Sequence, residues 1–338
     1  MTSTNIDQQI LEGLTSSNMD QQILKGLTST PKYVPLWFRY DKQGCIFDDD
    51  FITGNPYYYL HRSDLDVLST NIQDMLQETG LPVNLIDMGS GNSQKSRIVI
   101  NAILKHQDKL TYIPMDISPE SLQVTSAALT KEYGSSLEIH PIAEEYTKGL
   151  QQIRSIAGKK MYVWFAALQN LPYDSQIEQL RSIAKTLSAD DCLLVSFDTT
   201  LNTNEVQKAY LNPTGSGHDL YWNALWRLNN DYGANFDTDN FYLEAEFVLS
   251  EKVDVLSGVK LKAVSRQCHS VAIEGLSITL TIAKGEEIYL HEGEYSSCKY
   301  TEAQIRHIAR QSGLDVKKTW TDVNKHSALC CMKLNSAI

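Results

Sequence analysis

The stretch V-N-L-I-D-M-G-S-G-N-S-Q-K-S-R at positions 83–97 is the first place where residue types and spacing suggest chemistry. An apolar run stops at Asp87, two glycines bracket Ser90, and a polar segment leads into the helix-like stretch 98–104. Glycines let a backbone bend sharply and come close to a ligand. A strand, such a turn and a helix together suggest a nucleotide-like ligand. The spacing is not that of a P-loop, which needs a Gly-Lys pair after four intervening residues, and the third glycine of the dinucleotide fingerprint is missing. Three further segments belong with this turn, because ligands of open α/β sheets bind beyond the carboxyl ends of the strands. Asp116 ends the next apolar stretch and is placed to accept hydrogen bonds from ribose hydroxyls. Glu145-Tyr146 follow a third stretch and could flank an adenine, and Leu168-Gln169-Asn170 follow a fourth. A ligand with ribose and adenine but no phosphate fits this set best.

The elements that must position these residues follow from periodicity and punctuation. A helix is expected from Ser63, with Leu65, Leu68, Ile72, Met75 and Leu76 on its apolar face and Gly80 as its stop. Strands are expected at 83–88, 111–115, 137–142, 161–166 and 192–197. Ser118-Pro119 should open a helix that Gly134 ends. The chain then closes with a helix over 302–312 and strands over 314–319 and 327–333. Alternating strands and helices predict an α/β fold, a Rossmann-like doubly wound sheet ending in an antiparallel hairpin. That ending favours an S-adenosyl-L-methionine (SAM) methyltransferase core over an NAD enzyme.

Between 201 and 298 the rhythm breaks. Residues 205–230 read as helical and aromatic-rich, and 242–290 as alternating strands such as 276–282. This predicts a second, α+β substrate-binding domain from 18–63 and 201–298, with the methyltransferase core in 64–200 and 299–338. N-I-D-Q-Q-I-L-E-G-L-T-S (5–16) returns as N-M-D-Q-Q-I-L-K-G-L-T-S (18–29). Two copies are too few for a solenoid. They predict two short amphipathic helices, stopped by Gly13 and Gly26, with residues 1–17 as an N-terminal extension.

Composition narrows the partners. The chain has 338 residues and a formal net charge of −11, which argues against nucleic acid or an anionic membrane, since both need a basic surface. No apolar run reaches the length of a membrane span, and the N-terminus lacks the basic and apolar regions of a signal peptide. The six cysteines, at 45, 192, 268, 298, 330 and 331, form no C-x-x-C pair. Reduced thiols and a cytoplasmic protein are expected. No His/Cys cluster suggests a metal, and no obligate protein partner is evident.

Several motifs, taken together, resemble the histidine Nα-methyltransferase family of ergothioneine biosynthesis. They are G-L-T-S-T-P-K-Y-V-P-L-W-F-R-Y-D (26–41), Y-Y-L-H-R (58–62), D-M-G-S-G-N-S-Q-K-S-R (87–97), P-M-D-I-S (114–118), A-Y (209–210), G-A-N-F-D (233–237), G-E-E-I (285–288) and S-C-K-Y-T-E-A-Q (297–304). Fungal members of that group also methylate tryptophan and a prenylated tryptophan. The resemblance implies SAM as cofactor and S-adenosyl-L-homocysteine as product. It carries the cofactor contacts onto Tyr40, Gly89, Lys95, Asp116, Glu145 and Tyr146. It carries the amino-acid contacts onto Tyr58, Asn170, Tyr210, Tyr295, Ser296 and Ser297. Tyr40 and Tyr58 then guide the proton leaving the amine.

Some positions depart from the family. Phe165 and Gln169 stand where glycines are expected, Leu261 where a methionine is expected, and Tyr295 where the histidine enzymes have a glutamate. A glutamate accepts from an imidazole N–H and favours its charged form, whereas tyrosine offers an apolar face and one hydroxyl. The expectation is an N-methyltransferase acting on the α-amino group of a free aromatic amino acid, with tryptophan preferred. Histidine trimethylation, with Glu294 in the acid's place, is the rival within the class. A SAM-binding regulatory protein without turnover is the rival outside it.

Overall fold

The computed structural model describes residues 18–212, 215 and 217–335. The first copy of the repeat and the expected 1–17 extension lie outside them. The chain divides into two compact units.

The first unit comprises Pro56–Ala209, Phe247–Gly258 and residues from Ser297 onward. Its sheet runs in the order Leu314–Thr321, Ser327–Leu334, Cys192–Asp198, Lys160–Trp164, Asn84–Met88, Leu110–Asp116. Two short strands, Leu137–Ile139 and Ile142–Ala143, both pair with Leu110–Asp116. The four central pairings among Cys192–Asp198, Lys160–Trp164, Asn84–Met88 and Leu110–Asp116 and its outer neighbour are parallel. Ser327–Leu334 is antiparallel to both its neighbours. This is the Rossmann-like sheet with a terminal antiparallel hairpin. Every residue of Lys160–Trp164 and Cys192–Asp198 is buried, as a parallel sheet covered on both faces requires. Leu68 and Met75 of the helix Leu60–Thr79 join Val99, Ile103, Leu85, Val163, Leu194 and Leu329 in one apolar core.

Local chemistry explains where the elements begin and end. Ser118 accepts from the Ser121 N–H at 3.2 Å, Pro119 opens the helix Pro119–Tyr133, and Gly134 ends it at φ 56°. The helix expected from Ser63 starts one turn earlier, at Leu60, because Leu60 and Ser63 are both buried. Ser63 is packed rather than capping. The strand expected over 137–142 breaks around Pro141, which has no N–H to give to a ladder.

The second unit comprises the chain up to Asn55, Tyr210–Glu246 and Val259–Ser296. Lys32–Tyr33 pairs with Glu287–Tyr289, which pairs with Ser257–Ser265, to which Phe241–Val248 also belongs. His269–Ile273 and Ile278–Ile282 form a hairpin. The helices Lys42–Gly54 and His218–Tyr232 complete it. Gly26 does not stop its helix, which is helical from 18 to 28 among the described residues. A Cβ there would meet the Tyr33 carbonyl oxygen at 2.5 Å, so the glycine serves close packing.

Candidate active site

In the first unit the glycine turn is built as its sequence suggested. Gly89 and Gly91 have φ of 70° and 48°, a region that favours glycine. The N–H groups of Gly89 and Ser90 both donate to the Met115 carbonyl, at 2.8 and 3.1 Å. The turn is thereby tied to the end of the neighbouring strand. Asp116 closes the same corner: its Oδ2 accepts from the Gly91 N–H and its Oδ1 from the Ser118 N–H, each at 3.1 Å. Each carboxylate oxygen keeps a further lone pair, which suits a ribose diol. Tyr146 is brought to this corner too. A Cβ added to Gly89 would lie 2.8 Å from its hydroxyl, and its ring meets Trp164 edge-on at 5.0 Å. Glu145 is exposed and opens the helix Tyr146–Ile153 without a side-chain cap.

Beneath the turn lies a polar chain that the sequence did not reveal. Ser93, itself at φ 55°, bonds to the Tyr112 hydroxyl at 3.0 Å. That hydroxyl donates to Asp87 Oδ2 at 2.5 Å, and Ser96 donates to the same oxygen. Asp87 is 2 % exposed, and burial pushes its carboxyl up to about 6 against the pull of these two bonds. The network locks the two strands, the turn and the helix Gln94–Ile103 together. Lys95, on that helix, is paired with the fully buried Asp64 at 2.5 Å. Asp64 also accepts from Ser196 and Ser327.

Asn170 is half-buried in the short helix Leu168–Asn170 after the strand Lys160–Trp164. Tyr58 stacks on Tyr59 at 6.3 Å, and the Tyr59 hydroxyl donates to Asp198 at 3.2 Å. Ser297 is buried and accepts from Lys299, whose ammonium pairs with Asp198 at 2.8 Å.

The fit to SAM rests on buried polar atoms that find no partner within the protein. Ser90 Oγ in the turn, Trp164 Nε1 at the end of its strand and Gln169 Oε1 just beyond are of this kind. Two donors and an acceptor at strand carboxyl ends, beside the Asp116 carboxylate and two glycines without side chains, suit a purine riboside carrying an ammonium group.

In the second unit, Tyr40 follows the short helix Leu36–Arg39. Burial outweighs the neighbouring Arg39 cation and pushes the Tyr40 phenol up to about 12, so it stays protonated at neutral pH and donates rather than abstracts. Tyr210 is buried against Phe51 at 6.4 Å, and Phe51 packs on Tyr221 at 5.7 Å. Tyr295 is buried, with its hydroxyl donating at 3.0 Å to Glu294, which is itself exposed. The Ser296 N–H donates to the Val259 carbonyl. Leu261 is fully buried, and its N–H donates to Nε2 of His291, a histidine that burial drives down to about 4 and so holds neutral.

Fold and turn together define a transferase core that takes an adenosine-type cofactor. The family model described as histidine-specific methyltransferase, SAM-dependent, matches residues 19–334. The chain belongs to this family and is a SAM-dependent amino-acid N-methyltransferase. A histidine N-alpha-methyltransferase of Mycolicibacterium smegmatis is 27 % identical over 290 residues, covering 85 % of this chain and 86 % of that protein. The N-methyltransferase dtpB of Aspergillus flavus is 24 % identical over 300 residues, covering 86 % and 81 %. The 4-dimethylallyltryptophan N-methyltransferase easF of Epichloe festucae var. lolii is 20 % identical over 321 residues, covering 90 % and 92 %. Among solved structures, a SAM-dependent methyltransferase from Clostridium acetobutylicum superposes with a TM-score of 0.42 at 11 % identity, over 83 % of this chain and 96 % of that one. Among the described residues, no three His, Cys, Asp or Glu side chains gather as a metal site, no helix is long and apolar enough to cross a membrane, and no two cysteines form a disulfide.

Proposed function

We propose that this enzyme methylates the α-amino group of a free aromatic amino acid and prefers L-tryptophan to histidine. The observation that carries the reading is Tyr295. It is buried, its hydroxyl is engaged by Glu294, and Glu294 itself faces solvent. An exposed carboxylate whose oxygen already accepts a phenol is poorly set to hold an imidazole, while Tyr295 and Leu261, each buried, are apolar choices for the side-chain pocket. The relatives include both a histidine and a 4-dimethylallyltryptophan enzyme, so the pocket must decide.

In this reading Gly89, Lys95, Asp116, Glu145 and Tyr146 of the first unit hold the cofactor, which supplies an activated methyl group on a sulfonium. Lys95 serves from its ion pair with Asp64. Tyr40 joins the cofactor contacts. Asn170 and Tyr210 orient the amino-acid head group, and Tyr58, Tyr295, Ser296 and Ser297 face its side chain. The chain's own task is alignment and water exclusion, because an in-line methyl transfer creates little charge. The incoming amine must lose a proton. Tyr40 keeps its own, and with Tyr58 it guides the leaving proton through hydrogen bonds. Its ring, like Tyr58's, also tolerates the methylated ammonium. Cysteines without disulfides, most of them buried, suit a reducing cytoplasm.

The test is incubation with SAM and each of the twenty amino acids, read by mass spectrometry for added methyl groups. Tryptophan gaining methyl groups, with histidine much slower, is expected. Histidine as the best substrate would overturn the reading of Tyr295.

A further inference from the structure

Arg39 is 6 % exposed in the second unit; among the described residues no carboxylate lies within ion-pair distance of it, and the Asp48 carboxylate acts on it only from further away. Its Nη2 donates to the Tyr40 hydroxyl at 3.3 Å, while Nε and Nη1 are buried without an acceptor. The guanidinium lies over two aromatic rings, 5.2 Å from the centre of Tyr40 and 5.6 Å from that of Tyr221. The backbone here is fixed: the Asn223 side chain donates to the Arg39 carbonyl and to Asp41, each at 2.8 Å. Cation–π contacts offset part of the cost of burying such a charge, but its N–H groups still call for an acceptor. A guanidinium presents rigid planar donors that match a carboxylate.

We propose that Arg39 is a carboxylate anchor, and that its unpartnered N–H groups take the α-carboxylate of the amino-acid substrate. This rests on the reading above that the substrate is a free amino acid. Its α-carboxylate is the one anionic group common to all aromatic amino acids. Tyr40, which touches Arg39, and Tyr210, joined to Tyr221 through Phe51, are the residues of this unit already assigned to the reacting end of the ligands. The tyrosine rings on the cation keep water away from it, so a carboxylate arriving there gains a charge-assisted bond in a dry setting. The anchor also gives a reason for an enzyme of this kind to refuse amines that lack a carboxylate.

The experiment compares two ligands by calorimetry: whichever amino acid the wild-type enzyme methylates fastest, and the amine made from it by decarboxylation. A wrong substrate identity changes the pair and leaves the comparison standing. Wild type should prefer the acid on the order of a hundredfold, and Arg39→Gln should reduce that preference to within a few-fold, with affinity for the amine and for SAM nearly unchanged. Arg39→Lys keeps the charge without the planar donors and should retain an intermediate preference; it also stands in if Arg39→Gln fails to fold. A preference for the acid that survives in Arg39→Gln, or in Arg39→Lys at full size, would overturn the proposal. So would an equal loss of acid and amine binding, which marks Arg39 as a structural cation.

Discussion

Replacing Asp87 by asparagine should remove a pH dependence without removing the hydrogen bonds beneath the glycine turn. Ser96 and Tyr112 both donate to the same oxygen of Asp87, so an amide carbonyl can accept both. The carboxyl is held at about 6, chiefly by burial, against about 3.9 for an unfolded aspartate. The folded protein therefore binds a proton between about pH 4 and 6 that the unfolded chain does not. Stability is greatest below the unfolded value and falls as pH rises through about 6. A shift of about two units corresponds to about 3 kcal/mol. Asparagine cannot ionise, so Asp87→Asn should match wild type near pH 4 and exceed it by up to about 3 kcal/mol at pH 7.5. Urea unfolding of both proteins across that range isolates the difference, because titrating groups not coupled to Asp87 cancel. A gap between the two proteins that stays constant with pH would show that Asp87 ionises normally and that the reasoning from burial is wrong.

Asp116→Asn should weaken SAM binding about ten- to a hundredfold in calorimetry, at about 1–3 kcal/mol per unmatched buried group. Unchanged affinity would remove Asp116 from the cofactor site. Gly89→Ala places a methyl 2.8 Å from the Tyr146 hydroxyl at a φ of 70°, so SAM affinity should fall at least about tenfold; adding Tyr146→Phe should restore part of it, and no restoration would mean that backbone strain is the whole cause. Lys95→Met leaves the fully buried Asp64 carboxylate without its cation and should cost about 3–5 kcal/mol in urea unfolding, with a loss below 1 kcal/mol counting against the pairing. Tyr295→Glu should lower the ratio of tryptophan to histidine turnover by about tenfold or more; a ratio that does not move would place position 295 away from the side chain.

The parallel sheet could be read because its strands are continuous apolar runs that stop at Asp87 and Asp116, the two acids that mark their carboxyl ends. The glycine turn and the helix from Pro119 to Gly134 were equally legible, since their chemistry is local. Contacts between distant segments were not. Asp64 meets Lys95, Ser196 and Ser327, and nothing in a helix beginning near Ser63 distinguishes Asp64 from a solvated acid. Asp87 was noticed only as the end of a run, because its two donors lie in the next helix and the next strand. Ser63 looked like a cap, but one more turn of helix buries Leu60, and packing outweighed the cap. Arg39 passed unremarked inside W-F-R-Y-D, since an arginine beside aromatics ordinarily lies at a surface. Its burial is set by the helix His218–Tyr232, which brings Tyr221 and Asn223 to it from far along the chain.

The position of Ser327–Leu334 within its sheet bears on how the protein is made. This strand lies between Cys192–Asp198 and Leu314–Thr321, yet it is synthesised roughly 130 residues after Cys192–Asp198, about 6 to 26 seconds later at ordinary elongation rates. Throughout that interval the largely apolar strand Cys192–Asp198 has one unpaired edge, the kind of edge that recruits other chains. Shielding that edge until the partner strand emerges should therefore help folding at the ribosome, and yield in a heterologous host should rise when holding chaperones are supplied and fall when translation is slowed between the two strands.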